Sequence, residues 1–161
     1  MPTKDPLATS GLPNLKRDSV PQRDVSKEGQ PPGSQFLILV VDDAPDNLAM
    51  ISLALQQQGY QIVTAANGED AVSVAIQTAP NLILMDINLP GLDGLGATRR
   101  IRETEGLRDV PIVAVTALGT EGFQRAAYDA GVAGYLTKPI DLDRMNQLIA
   151  RLLSPGGSGK L

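Results

Sequence analysis

Five side chains at four places along the chain have the types and spacing to act together. Asp42 and Asp43 follow the apolar run Phe36 to Val41, and Asp86 closes the run Leu82-Ile83-Leu84-Met85. Thr116 follows Val110 to Val115, and Lys138 follows Ala133 to Thr137. If these runs are strands of one parallel sheet, all five groups meet beyond its carboxyl edge, where open α/β sheets bind ligands. An Asp after a strand is ordinarily a turn or cap residue. That reading explains each position singly and leaves their conjunction unexplained. Three carboxylates repel one another, and Lys138 offsets one charge. The remaining charge asks for a divalent cation, and an all-oxygen donor set suits Mg²⁺ or Mn²⁺. A cation and an ammonium beside a carboxylate form a site for phosphoryl transfer, which depends on positioning and charge stabilisation. Asp86 is then the nucleophile, giving an acyl phosphate.

The elements that must position these groups follow from apolar patterning. Leu82 to Met85 is a short continuous apolar run, as expected of a strand buried on both faces. Phe36 to Val41 reads as a central strand, and the more polar Gln61 to Ala65 as an edge strand. Between the strands lie helical spacings: Leu48, Ile51 and Leu55, ended by Gly59; Ala71, Val74 and Ala75, closed by Pro80; Leu95, Thr98 and Ile101, ending near Gly106; Phe123, Ala126, Ala127 and Ala130; and Leu142, Met145, Ile149 and Leu152. Asn67, Asp93 and Asp141 are placed to cap helices. Gly119 and Gly122 make the front of the fourth helix pliable. Five strands alternating with five helices specify an α/β, doubly wound five-stranded parallel sheet. The order 2-1-3-4-5 is the common solution for that count.

Composition limits the rest. Of 161 residues 42% are apolar and 3% aromatic, so the core must be aliphatic. The absence of Cys and His excludes disulfides, thiolate or His-ligated metal, Ser-His-Asp and Cys-His catalysis, and a phosphohistidine on this chain. Residues 1–35 are Pro-rich, polar and about neutral, and read as a disordered tail or linker. Residues 154–161 read as a flexible C-terminus. From Phe36 onward nine Lys/Arg stand against fourteen Asp/Glu. Such an acidic domain, assigned to residues 36–153, is a poor non-specific partner for nucleic acid or a membrane surface. No run approaches the roughly 20 apolar residues that span a bilayer, and no secretory signal opens the chain, which fits the cytoplasm.

The segments Val40-Val41-Asp42-Asp43, Leu84-Met85-Asp86, Leu89-Pro90-Gly91-Leu92-Asp93-Gly94, Val115-Thr116-Ala117 and Leu136-Thr137-Lys138-Pro139 closely resemble the receiver domain of two-component response regulators. The resemblance covers about Phe36 to Leu153. It implies the flavodoxin-like receiver fold and a phosphorylation-dependent switch. The phosphoryl group would come from a phosphohistidine on a histidine kinase or histidine phosphotransfer protein, and the output would be a protein effector. It also implies that Asp43, Asp86 and the Asn88 carbonyl bind Mg²⁺, with Asp42 acting mainly through water. Lys138 would contact the phosphoryl group, and Thr116 would hydrogen-bond it. Tyr135 would be the aromatic switch residue, turning inward into the space that Thr116 vacates. Ala117 would leave the pocket open to water, and the Lys138–Pro139 peptide would be cis. The fourth helix, fifth strand and fifth helix would form the output surface.

Such a domain is a phosphoacceptor rather than an enzyme acting on other substrates. Two arrangements fit: a stand-alone receiver, or a receiver within a larger hybrid kinase or multidomain regulator. An aspartate-nucleophile phosphatase of the haloacid dehalogenase type shares the chemistry. It requires a second Asp two residues after the first, where this chain has Asn88. A receiver that serves as a binding module and is never phosphorylated is a further reading, against which the presence of every expected residue argues. A nucleotide-binding P-loop motif is absent.

Overall fold

The computed structural model describes residues 35–117 and 119–154. The expected N-terminal tail, except Gln35, and the C-terminus beyond Ser154 lie outside the described residues. The elements alternate throughout: β1 (Leu37–Val41), α1 (Pro45–Gln57), β2 (Gln61–Ala65), α2 (Gly68–Thr78), β3 (Leu82–Asp86), α3 (Gly94–Arg102), β4 (Ile112–Thr116), α4 (Glu121–Ala130), β5 (Gly134–Thr137) and α5 (Leu142–Leu153). The strands form one parallel sheet in the order β2-β1-β3-β4-β5. β3 and β4 are buried at every residue, as the apolar runs require. The polar strand β2 stands at an edge.

Successive residues of a strand face opposite sides, and each side has its own helices. Leu39, Val41, Ile83, Met85, Ile112, Ala114 and Tyr135 pack with Ala71 and Ala75 of α2, Ala97 and Ile101 of α3, and Ala127 of α4. Ile38, Val40, Leu82, Leu84, Val113, Val115 and Leu136 pack with Ile51 and Leu55 of α1 and with Met145, Ile149 and Leu152 of α5. Each fully buried aliphatic side chain contributes about 1.5–3 kcal/mol. The core therefore holds the strand ends in register.

Helix termini follow local chemistry. Asn67, Asp93, Thr120 and Asp141 each accept a backbone N–H of the turn that follows. The C-terminus of α1 closes with two bonds, Gly59 N to Gln56 O at 2.9 Å and Tyr60 N to Leu55 O at 3.2 Å. Gly59 supplies the positive φ, 96°, that this closure needs. Two boundaries differ from the sequence reading by more than one residue. α3 ends at Arg102, and successive tight turns anchored by buried Leu107 carry the chain past Gly106. β4 starts at Ile112, because the Val110 amide is spent on the Leu107 carbonyl and Pro111 has no N–H. α2 closes at Pro80 as expected, with Ala79 just before it left-handed (φ 48°).

Gly94 matters most for the site. Its N–H donates to the Ile87 carbonyl at 3.0 Å, and a Cβ there would overlap the Asp86 carbonyl oxygen. The start of α3 thus lies against the backbone that carries Asp86. Gly94→Ala is expected to lower stability in urea unfolding by about 1–3 kcal/mol, the usual cost of overpacking. An unchanged midpoint would show that the contact yields freely.

Candidate functional site

Parallel pairing brings the strand ends to one edge. Asp42 N donates to Ala65 O at 3.2 Å, Ile87 N to Val115 O at 3.0 Å and Lys138 N to Thr116 O at 2.8 Å. The sheet ladder thus continues one residue past β1, β3 and β5. Carboxylate oxygens of Asp42, Asp43 and Asp86 all lie within 4.8 Å of one another. The Lys138 ammonium reaches Asp42 Oδ2 at 3.2 Å and Asp86 Oδ2 at 3.1 Å. All four expected charged groups therefore meet. Thr116 is fully buried at the end of β4, and the Lys138–Pro139 peptide is cis.

Burial is uneven. Asp42 and Asp86 are 1% and 2% exposed, whereas Asp43 lies open to solvent. Backbone amides fix the two covered acids: Ala44 N donates to Asp42 Oδ1 at 2.9 Å and Asn88 N to Asp86 Oδ1 at 3.1 Å. Burial pushes the Asp86 carboxyl above its ordinary range, and the Asp42 charge adds to this. The Lys138 hydrogen bond opposes it without cancelling it. Burial acts to lower the Lys138 pKa, but its contacts with Asp86 and Asp42 outweigh burial and raise it.

Three acids against one ammonium leave two negative charges in excess. Every available donor atom is oxygen, and Asp43 opens the cluster to water. This donor set fits a hard divalent cation such as Mg²⁺.

The description "response regulator receiver domain" belongs to the family model that matches residues 38–150. The chain belongs to this family. Protein PilH of Pseudomonas aeruginosa is 35% identical over 117 residues, 73% of this chain and 97% of PilH. The DNA-binding dual master transcriptional regulator RpaA of Synechocystis sp. is 35% identical over 116 residues, 72% of this chain but 48% of RpaA. The chain thus spans nearly all of one relative and about half of the other. Among solved structures, the receiver domain of sensor histidine kinase PA1611 from Pseudomonas aeruginosa is 38% identical, with a TM-score of 0.69. The match covers 73% of this chain and 97% of that one, and that structure has a magnesium ion coordinated in its active-site cleft. As a receiver domain, this one is a phosphorylation-dependent signalling switch. Its acidic pocket is the feature with which such domains bind Mg²⁺. No helix among the described residues is long and apolar enough to cross a membrane.

One feature escaped the sequence reading. Asn47, in the first turn of α1, points its amide at Asp42: Nδ2 is 3.3 Å from Oδ2 and 3.5 Å from Oδ1. The only signal was its position, four residues after Asp43 in a helix that begins beside the site. Tyr135, the expected switch residue, is 8% exposed and packs with the α2–α4 face.

The raised Asp86 pKa carries a stability consequence. In the folded state Asp86 holds its proton to higher pH than in the unfolded chain, where carboxyls titrate near 3.9. Without metal, stability therefore falls as pH rises from about 4 through the raised value. Lys138 stays charged across this window. In chelator, Asp86→Asn is expected to lack this fall and to be at least as stable as the parent at pH 7. Parallel stability–pH curves for the two proteins would contradict it.

Proposed function

We propose that Asp86 accepts a phosphoryl group from a phosphohistidine of a histidine kinase or histidine phosphotransfer protein. The observation that carries this is the Asp86 Oδ2–Lys138 Nζ contact of 3.1 Å within the three-acid cluster. An Asp86 oxygen forms the new P–O bond as the P–N bond to the donor imidazole breaks, and the electron pair leaves with the nitrogen. Lys138 pairs with the charged oxygens of the group in transit. Asp43, Asp86 and the Asn88 carbonyl hold the metal, with Asp42 acting through water. Mg²⁺, or Mn²⁺ in its place, supplies charge neutralisation and orientation of the phosphoryl oxygens when bound.

Thr116 then senses the acyl phosphate with its hydroxyl. Tyr135 reports it, by a shift in the balance between inward and outward rotamers. Phosphorylation adds about −1.5 to −2 charge and new acceptor oxygens, which Thr116 can meet. The output face is α4, β5 and α5. A groove there is lined by Tyr128, Gly134, Tyr135, Arg144, Leu148 and Arg151. Its partner is a downstream protein rather than nucleic acid, given the acidic domain. The domain spans residues 36–153 and works in the cytoplasm, where ATP-fed kinases charge their histidines. The match to about half of RpaA also supports a receiver set within a longer regulator.

Incubation with acetyl phosphate and Mg²⁺ is expected to add one phosphoryl group at Asp86, resolved by mass spectrometry. Chelator or Asp86→Asn abolishes it. Labelling that persists in Asp86→Asn would overturn the assignment. Thr116→Ala is expected to take up the group while the Tyr135 ring resonances no longer respond in NMR spectra. A full response would remove Thr116 from the relay.

A further inference from the structure

We infer that Asn47 is a positioning residue for phosphoryl uptake, acting through Asp42 on Lys138. This rests on the reading of Asp86 as phosphoacceptor. Asp42 is buried, and its Oδ1 already receives the Ala44 amide at 2.9 Å. Its Oδ2 receives two side chains, the Lys138 ammonium at 3.2 Å and the Asn47 amide at 3.3 Å. Lys138 in turn is shared between Asp42 Oδ2 and Asp86 Oδ2. Asn47 therefore meets part of the demand of an anion that competes with Asp86 for the lysine.

The amide orientation is fixed by chemistry, because the flipped form would set its oxygen against carboxylate oxygens. Its mounting is firm. Pro45 begins α1, and Leu48 N closes the first turn onto Ala44 O at 3.1 Å. Nor is the nitrogen spent on the helix: the unpaired groups at a helix start are themselves donors. Without Asn47, Asp42 Oδ2 turns wholly to Lys138 and draws the ammonium away from Asp86. The group in transit then loses part of its charge stabilisation.

The test uses the full chain, saturating Mg²⁺ and acetyl phosphate. An Asp86 oxygen bonds to phosphorus as the P–O bond to acetate breaks, and acetate leaves with the electron pair. Asn47→Ala, and the near-isosteric Asn47→Leu, are expected to slow labelling of Asp86 about tenfold, the scale of one hydrogen bond to a charged group. Their melting temperatures stay at the parental value. The Lys138 Nζ resonance in ¹⁵N spectra moves in both variants, and Asn47→Gln, which keeps the donor, returns rate and resonance toward the parent. Parental rates in both variants overturn the inference, as does a slowed rate with an unmoved Lys138 resonance or one that tracks loss of fold. A parent that takes no label at Asp86 defeats the phosphoacceptor reading itself. Parent and variants labelled equally defeat the role of Asn47 alone.

Discussion

The Lys138 ammonium stands between two buried carboxylates, Asp42 and Asp86, with the exposed Asp43 close by. Like charges held this near in a covered site are costly, and a single cation offsets only part of that cost. Burial is the main reason the Asp86 pKa is raised, and the neighbouring Asp42 charge adds to it. A site left short of positive charge has affinity for groups that bring it, which is what a divalent ion does. The fit to a divalent cation and the raised Asp86 pKa thus share one covered, acid-rich arrangement.

The fold makes this arrangement obligatory. Four strands deliver their carboxyl ends to one edge, and register pairs Val41 with Met85, Asp86 with Val115 and Thr116 with Thr137. Aliphatic layers on both faces hold those pairings. The loops above the edge are held by backbone contacts: the Ala44 and Asn88 amides orient the acids, and Gly94 lets α3 begin against the Asp86 backbone. In contrast, α4 begins after Gly119 and carries a second glycine, Gly122, in its first turn. Its far end is tied to α3. Gly131 takes the left-handed conformation, and Arg102 Nε donates to the Gly131 carbonyl at 3.0 Å.

Much of this was legible in the residues. Buried strands of a parallel sheet are continuous apolar runs, so β1, β3 and β4 announced themselves, and parallel pairing converts each strand end into a site position. Capping by Asn67, Asp93 and Asp141 was readable because a cap is a local event. Less legible were features set by contacts between distant segments. Asn47 has no periodic or motif signature, since its meaning depends on Asp42 lying beneath the first turn of α1. The need for Gly94 comes from backbone proximity to Asp86, which spacing does not reveal. The depth of Tyr135 depends on how α4 covers β5. The end of α3 was misjudged because Leu107 is apolar and Gly106 is a helix stopper, yet the segment closes as tight turns.

The central claim is that an excess of negative charge at this edge binds one divalent cation through Asp43 and its neighbours. Calorimetric titration of the metal-free protein with Mg²⁺ at neutral pH tests it most directly. One ion is expected to bind per chain, with binding lost or greatly weakened in Asp43→Asn. No binding by the parent, or equal affinity in Asp43→Asn, would contradict it.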